Sequence, residues 1–229
     1  MRAAVVRKKK TRWGDRVTRR QDILDAASQL LERDGYGKLS MRDVAEVAGV
    51  SPGTLYTYYP SKQALFAFIY SERLVELREE LERQVAGLAT VEDVVFMVAD
   101  RYFDVHRVFG HEFDVWSAVL DGASLSPETV GQLVEATQSV FSTVRAAIAR
   151  IEPALDGPEM ELAQPVLQST ITGLAEHFAS LRHLLHPHTR EELTHMAARI
   201  FVAGLRQELR APGAEKSRRE ASGLTTFLR

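Results

Sequence analysis

Residues 39–66, LSMRDVAEVAGVSPGTLYTYYPSKQALF, combine three helix starts with one helix stop. A serine oxygen accepts a hydrogen bond from an otherwise unpaired N–H in the first turn of a helix. Serines stand at all three starts: Ser40, Ser51 and Ser61. Gly49 ends the first helix, because glycine adopts the left-handed backbone conformation without a Cβ clash. Pro52 suits the first position of the second helix, where its missing N–H costs nothing. The stretch predicts two short helices joined by a tight turn, then a longer helix.

The second short helix has an unusual outward face. At about 100° per residue, Leu55 and Tyr59 turn inward together. The opposite face is small and uncharged: Gly53, Thr54, Thr57 and Tyr58, with Tyr56 at its edge. Such a face suits close approach to DNA, because threonine methyls can touch a thymine methyl and tyrosine hydroxyls can bind phosphate oxygens.

The order of residues around this stretch carries a family resemblance. The matching segments are Ile23-Leu24-Asp25-Ala26-Ala27, Gly35-Tyr36, Ser40-Met41-Arg42-Asp43-Val44-Ala45, Ala48-Gly49-Val50-Ser51, Gly53-Thr54-Leu55-Tyr56, Tyr58-Tyr59 and Ser61-Lys62. Together they resemble the N-terminal domain of TetR-family transcriptional regulators over roughly residues 19–66. Beyond about residue 70 the resemblance implies only an all-helical effector-binding and dimerisation domain.

By position, the resemblance implies a set of residues that contact a double-stranded DNA operator. They are Arg42, Gly53, Thr54, Tyr56, Thr57, Tyr58 and Lys62. The fork of Arg42 suits a guanine edge or a phosphate. For Tyr56 and Lys62 we favour phosphate contacts over a tyrosine packed on the domain and a solvated lysine. Because the second helix has no Arg, Asn or Gln, we expect methyl contacts and DNA shape to supply part of the specificity.

The composition is that of a globular protein with unevenly distributed charge. Of the 229 residues 45% are hydrophobic, and the absence of cysteine excludes disulfides and thiol catalysis. The formal net charge is -2. Residues 1–66 nevertheless hold 13 Lys and Arg against 7 Asp and Glu, whereas residues 67–229 hold 16 against 24. This segregation predicts an electropositive DNA-binding end on an acidic body.

Neither a membrane helix nor a signal peptide is expected. The longest unbroken apolar run, residues 64–70, is far shorter than the roughly 20 residues that a membrane helix needs. Residues 1–6 lead directly into Arg7-Lys8-Lys9-Lys10, without the apolar core of a signal peptide. We therefore expect a cytoplasmic protein with no membrane partner.

The predicted domain organisation has four parts. Residues 1–18 form a basic, disordered arm, residues 19–66 the helix-turn-helix domain, residues 67–210 the helical ligand-binding and dimerisation domain, and residues 211–229 a disordered tail. The arm is either a solvated tail, a remnant of cloning, or a segment that follows the phosphate backbone or the minor groove.

Helical spacing of apolar residues continues along the chain, and no segment alternates as a strand does. We predict an all-α fold with an N-terminal three-helix domain and a larger helical domain. The predicted helices, besides the two short ones, are Thr18 or Arg19 to Asp34, Lys62 to about Val85, Thr90 to Phe109, about Phe113 to Leu120, Ser126 to about Ile151, one that starts or kinks at Pro165, and about Arg190 to Leu209.

The last two long helices carry the pattern of a dimer interface. Leu167, Ile171, Leu174, Phe178, Leu181 and Leu185 recur at the spacing of a helix–helix seam. One side of the final helix carries Leu193, Met196, Ala197, Ile200 and Gly204. Two such helices can pair with their symmetry mates in a four-helix homodimer interface, as the resemblance also implies.

The larger domain offers candidate ligand residues but no convincing chemistry. An apolar effector pocket could be lined by Phe96, Tyr102, Phe103, Phe113, Trp116 and Phe141, with His106 as a polar group. The same side chains also fit ordinary core packing. His183, His186, His188 and His195 lie close in sequence, but their spacing includes Pro187 and a helix end. We therefore predict no metal site, no cofactor and no catalytic residues.

These observations predict a homodimeric, sequence-specific transcriptional regulator that is not an enzyme. We expect a repressor that a largely apolar small molecule releases from a palindromic operator. Two alternatives stay open. An all-helical small-molecule binding protein without operator specificity would leave the pattern of residues 51–62 unexplained, and a helical metalloenzyme would use the histidine cluster.

Overall fold

The computed structural model describes residues 12–109 and 125–210, and within these ranges every regular element is helical. The helices are α1 (Arg12–Lys38), α2 (Met41–Val47), α3 (Pro52–Tyr58), α4 (Lys62–Val85), α5 (Val91–Phe109), α6 (Pro127–Ile151), α7 (Pro158–Ala179) and α8 (Arg190–Arg210). Short 3₁₀ segments cover Pro153–Leu155 and Leu181–Leu185. The predicted all-α class is confirmed. The predicted helix at about Phe113 to Leu120 lies outside the described residues.

Side-chain caps begin the helices where the sequence predicts them. In each case a hydroxyl oxygen accepts the N–H three residues later: Ser40 from Asp43, Ser51 from Thr54, Ser61 from Ala64, Thr90 from Asp93, Ser126 from Thr129 and Thr189 from Glu192, at 3.0–3.2 Å. Glu192 Oε2 also accepts the N–H of Thr189 at 2.8 Å, which completes a capping box. Because each cap joins residues only three positions apart, the helix starts could be predicted from the neighbouring sequence.

The described chain divides into two compact units. One contains residues 12–70 and 125–131, and the other contains residues 71–109 and 132–210. Both divisions fall inside helices, between Tyr70 and Ser71 of α4 and between Gly131 and Gln132 of α6. No helix within the described ranges is both long and apolar enough to cross a membrane.

The first unit is built around the apolar face of α1. This face is buried: Ile23, Leu24, Ala27, Leu30 and Leu31 are at most 5% exposed. Helix α1 packs against α2, and α2 packs against α3. Burial of one such leucine stabilises the fold by roughly 1.5–3 kcal/mol before the entropy of ordering is counted.

Helix α1 begins earlier than the sequence suggests. We expected residues 12–18 to belong to a disordered arm, but the helix starts at Arg12. Lengthening an existing helix costs little once its first turn has formed, and arginine is a good helix former. Directly after the predicted end at Asp34, Gly35 has a φ of 78° and interrupts the helix before a last turn to Lys38.

Helix α4 has a buried apolar side. Leu65, Phe66, Ile69, Leu74 and Leu77 are all at most 4% exposed. At the end of this helix, the guanidinium of Arg150 donates to the carbonyl oxygens of Val85 and Leu88 at 2.8 and 3.1 Å. It thereby satisfies carbonyls that have no partner within the helix.

The second unit is centred on α5, which packs against both α7 and α8. The apolar residues at helical spacing along α5 are buried, including Val91, Val94, Val98, Val105 and Phe109. On α8, Arg206 joins two other elements through Glu92 at 2.6 Å and Glu152 at 2.7 Å. Helix α5 is therefore a central helix of this unit.

Helix α7 differs from its prediction at both ends. It begins at Pro158 and continues through Pro165, so Pro165 is not its start. It ends at Ala179, where the extended backbone of Ser180 breaks the helix and its hydroxyl accepts the N–H of Arg182 at 3.3 Å. Leu181 and Leu185, predicted to continue the seam on this helix, instead lie in the 3₁₀ segment and are 78% and 83% exposed.

Candidate nucleic-acid interface

The turn between α2 and α3 is fixed by backbone hydrogen bonds. Gly49 has a φ of 66°, in the left-handed region. Its N–H donates to the carbonyl of Glu46 at 3.1 Å, and the N–H of Val50 donates to the carbonyl of Ala45 at 2.9 Å. This pair of bonds is a Schellman motif, which ends α2 sharply and sets the point where α3 can begin.

Helix α3 separates an inner side from an outer side. Leu55 and Tyr59 are 0% and 5% exposed and hold the helix to the first unit. On the other side Gly53, Tyr56 and Thr57 are exposed, and Thr54 and Tyr58 are half-buried. All five are predicted DNA contacts, and the structure brings them onto a helix of only seven residues.

The hydroxyl groups of α3 are partly committed within the helix. Thr57 donates its hydroxyl to the carbonyl of Gly53 at 2.9 Å, and the hydroxyls of Ser51 and Thr54 lie 2.8 Å apart. With its only hydroxyl hydrogen used in this way, Thr57 offers its methyl group and its oxygen lone pairs. A methyl group is the contact that a thymine methyl favours.

Gly53 has no steric reason to be glycine. A Cβ built there would meet only Ser51 Oγ, at 3.9 Å, and the backbone is helical. Glycine in a helix is less favourable than alanine, so the fold alone does not account for it. The missing side chain instead leaves the outer surface of α3 open to a close neighbour.

Two predicted cationic contacts flank α3. Arg42 is exposed at the start of α2. The ammonium of Lys62, the first residue of α4, lies 4.0 Å from the centre of the Tyr36 ring. The ring of Tyr36 meets Phe66 edge-on at 4.8 Å, and burial raises the pKa of its phenol. Tyr36 thus presents its aromatic face to the ammonium of Lys62.

A further cation near α3 was not singled out by the sequence. Arg20 of α1 is exposed, and its guanidinium carbon lies 4.2 Å from the centre of the Phe68 ring. Its Nε donates to the hydroxyl of Tyr59 at 3.4 Å. The only signal in the sequence is the basic composition around Arg16 and Arg19, which does not identify an aromatic partner far along the chain.

The residues predicted to line an effector pocket belong to the second unit, apart from Phe113 and Trp116, which lie outside the described residues. Phe103 and His106 are each 5% exposed, and His106 Nε2 lies 3.3 Å from a carboxylate oxygen of Glu176. The rings of Tyr102 and His106 are 5.9 Å apart. Tyr102, Phe103 and His106 are thus brought together on α5.

The other two described pocket candidates lie elsewhere. Phe96 stacks on His195 of α8 with ring centres 3.8 Å apart, and Phe141 is half-buried on α6. An open surface cavity of about 570 Å³ is lined by His188, Glu192, Leu193, His195, Met196 and Arg199. None of the predicted pocket residues lines it, so their role stays a prediction.

The histidines considered as metal ligands make local contacts. His186 Nε2 lies 2.7 Å from Nε2 of His177, and His183 Nδ1 lies 2.6 Å from the carbonyl oxygen of Ser180. His188 is exposed, and His195 stacks on Phe96. Across residues 12–109 and 125–210, no three His, Cys, Asp or Glu side chains are grouped so that they could hold a metal ion.

Comparison with known proteins places the α2–α3 region in a family. Residues 23–69 match the family described as bacterial regulatory proteins, tetR family. The chain is 26% identical over 83 residues to the fatty acid metabolism regulator protein of Bacillus subtilis (strain 168), covering 36% of this chain and 43% of that protein. It is 37% identical over 81 residues to the HTH-type transcriptional repressor KstR of Mycobacterium tuberculosis, covering 35% of this chain and 37% of that protein. The matches thus span about two fifths of these curated relatives.

The fold extends the similarity beyond this region. A crystal structure of the regulator FadR from Bacillus subtilis in complex with stearoyl-CoA superposes with a TM-score of 0.56, covering 81% of this chain and 98% of that one. The identity is 18%, so this likeness concerns the fold alone. The family match itself is confined to residues 23–69, which resemble the DNA-binding domain of the tetR family of bacterial regulatory proteins.

Proposed function

We propose that this protein is a sequence-specific DNA-binding transcriptional regulator, and specifically a repressor that a small-molecule effector releases from a palindromic operator. The observation that carries the proposal is the outer side of α3, which is small, uncharged and partly exposed within the segment that matches the family. Helix α3 would lie in the major groove, as the second helix of a helix-turn-helix does.

The proposed contacts divide into two kinds. Gly53, Thr54 and Thr57 would approach base edges, where methyl contacts and close packing favour particular sequences. Tyr56, which is 51% exposed, and Lys62 would bind phosphate oxygens and fix the register of the helix on the duplex. Arg42 and Tyr58 complete the surface.

A second copy of the chain is the proposed partner. Most of the large apolar side chains exposed among the described residues lie on α7, on α8 and on the 3₁₀ segment that connects them: Leu162, Val166, Leu181, Leu184, Leu185, Met196 and Ile200. Exposed apolar surface of this extent marks an interaction site. Helices α7 and α8 pack against each other, so each copy would contribute two helices to a four-helix interface. A two-fold dimer matches a palindrome whose half-sites lie about 34 to 36 Å apart, or a multiple of that.

The proposed effector is a largely apolar small molecule. The apolar and aromatic residues of the second unit support this class, and a protein of the same fold is bound to stearoyl-CoA. An effector shifts a population only through its difference in affinity for two states. Helix α4, which contains the division between the units, is the proposed coupling element.

The test is selection of bound duplexes from a random DNA pool at near-physiological salt. We expect the wild-type protein to enrich a palindrome and Tyr56→Ala to lose it. Tyr56→Phe is the matched control, because it keeps the ring and removes only the hydroxyl, and it should enrich the same palindrome with weaker binding. Sequence-blind binding by the wild-type protein would contradict the proposal and favour a ligand-binding protein without operator specificity.

A further inference from the structure

Arg20 is held in one place by two aromatic residues that come from other parts of the first unit. Its guanidinium lies 4.2 Å from the centre of the Phe68 ring on α4, and its Nε donates to Tyr59 Oη at 3.4 Å. The Tyr59 and Phe68 rings are themselves 5.7 Å apart. A guanidinium placed on a ring and tethered through Nε has its orientation fixed, while the N–H groups of its outer edge remain for another acceptor.

Arg20 carries a positive charge that no acid of residues 12–109 or 125–210 pairs with. Among the described residues, no carboxylate forms an ion pair with it, although α1 offers such pairing elsewhere, as between Arg33 and Asp34 at 2.6 Å. Arg20 is also exposed, so its charge is available at the surface. Its position is defined by Tyr59, the residue that directly follows α3.

The arrangement repeats one already seen at a proposed phosphate contact. Lys62 places its ammonium 4.0 Å above the Tyr36 ring, just as Arg20 places its guanidinium above Phe68. Tyr56, Tyr59 and Lys62 follow one another at intervals of three residues. Because Arg20 contacts Tyr59, it lies near the C-terminal end of α3, as do Tyr56 and Lys62, the two residues proposed to bind phosphate.

We propose that Arg20 is a further phosphate-binding residue, which grips one phosphodiester of the operator backbone with the forked edge of its guanidinium. The inference rests on the proposed DNA-binding function. A planar, fixed fork matches two phosphate oxygens better than a mobile lysine does. Since the phosphate is the same at every base pair, this contact contributes affinity and register and no sequence preference.

A purely structural role makes a different prediction. Arg20 also stabilises the contact of α1 with α4, and a cation suits the negative end of α3. If Arg20 served only to stabilise the fold, its replacement would lower the melting temperature. DNA affinity would then fall as well, but the number of phosphates that the protein neutralises would stay the same. The salt dependence of binding counts those phosphates, because each one adds about 0.9 to the slope of log K against log salt concentration.

The experiment measures duplex affinity of the full-length protein over a range of salt concentrations for Arg20→Gln and Arg33→Gln. Each variant removes one positive charge from α1, and Arg33 is the control because its charge is already paired with Asp34. For Arg20→Gln we expect the slope to fall by about 0.9 and binding to weaken about tenfold on all duplexes alike. Arg33→Gln should keep both values.

A second variant, Arg20→Lys, separates the charge from the fork. It should keep the wild-type slope and lose several-fold in affinity, because lysine presents a point charge. If the melting curve shows that Arg20→Gln does not fold, Arg20→Lys tests the proposal instead. Wild-type affinity of Arg20→Lys at every salt concentration would show that the guanidinium does not bind a phosphate through two N–H groups.

The two proposals fail in different ways. A wild-type salt slope in Arg20→Gln would overturn the role of Arg20, whatever happens to its affinity, and would leave the DNA-binding proposal intact. A wild-type protein that selects no sequence would contradict the proposed function. The salt slopes of Arg20→Gln and Arg33→Gln could still be compared on non-specific DNA, so the role of Arg20 would still be tested. The absence of any DNA binding would overturn both.

Discussion

At Gly53 the stability of the fold and the proposed DNA contact make opposite demands on one residue. A methyl group there meets nothing closer than Ser51 Oγ at 3.9 Å and would reduce the backbone entropy lost on folding. The same methyl group would stand on the side of α3 proposed to approach the bases.

For Gly53→Ala we therefore expect a more stable protein that binds DNA less well. The free energy of unfolding should rise by about 0.5 kcal/mol, because alanine is the better helix former. Operator affinity should fall about tenfold, since an inserted methyl group in a close-packed contact costs on the order of 1–3 kcal/mol. Urea denaturation and duplex titration measure the two effects. Unchanged operator affinity would show that α3 does not approach DNA at this residue.

At the scale of single elements, the turn between α2 and α3 depends on a backbone conformation. Gly49 has a φ of 66°, and a Cβ built there has no neighbour within 4 Å. The cost of adding a Cβ is therefore set by the backbone conformation and not by a clash. Gly49→Ala should lower the free energy of unfolding by about 1–2 kcal/mol, and Gly49→Asn by less, because asparagine tolerates the left-handed region. Equal losses in urea denaturation would contradict this order.

The capping box at the start of α8 should make stability depend on pH. The backbone N–H and the hydroxyl of Thr189 both donate to the Glu192 carboxylate, which lowers the pKa of Glu192 below its ordinary value of 4.5. Because the folded-state pKa is lowered, the stabilisation is fully present above about pH 4.5 and is lost as pH falls through the folded value.

Glu192→Gln is the variant that checks this pH dependence. At neutral pH we expect a lower melting temperature than wild type, because an ionised acceptor makes the stronger hydrogen bond and suits a helix N-terminus. The difference should shrink as pH falls below 4.5. A constant difference across pH 3–7, measured by thermal denaturation, would contradict the assignment.

Elements set by local chemistry could be predicted from the sequence, and elements set by distant contacts could not. Ser40, Ser51 and Ser61 each cap a helix with an N–H three residues away, so their roles follow from neighbouring residues. By contrast, the helical spacing of the leucines does not reveal that Ser180 ends α7. The predicted helix–helix seam therefore included Leu181 and Leu185, although both lie beyond the end of α7 at Ala179.

In the candidate DNA-binding site, too, some features could be predicted from the sequence and others could not. The outer residues of α3 follow from helical spacing and from the family resemblance. The cation–π contacts of Lys62 with Tyr36 and of Arg20 with Phe68 form only when the helices pack together, because the partners lie far apart in the chain. Composition around Arg20 indicates positive charge but does not show which arginine is held in place.

At the scale of the whole molecule, the proposed dimer predicts that two exposed apolar residues differ in importance. Ile200 on α8 is 65% exposed and Val75 on α4 is 40% exposed. A charge buried in an interface without a partner is strongly unfavourable. Ile200→Glu should therefore produce monomers at micromolar concentration and abolish binding to a palindrome, whereas Val75→Glu should remain dimeric.

Sedimentation velocity measures the oligomeric state of both variants, and circular dichroism checks that each is folded. A dimeric Ile200→Glu protein would place the interface elsewhere. A wild-type protein that is monomeric at high concentration would contradict the proposed dimer itself.

The exposed apolar side chains of α7 and α8 also have a genetic consequence. They lie in a different unit from α3, so a lesion that disables DNA contact leaves them unchanged. In the proposed dimer, a chain with a disabled α3 would still pair with normal chains. Co-expressed with the normal protein, it would form mixed dimers with a single working half, and the mutant allele would be dominant. Adding Ile200→Glu to the same mutant chain would make it recessive.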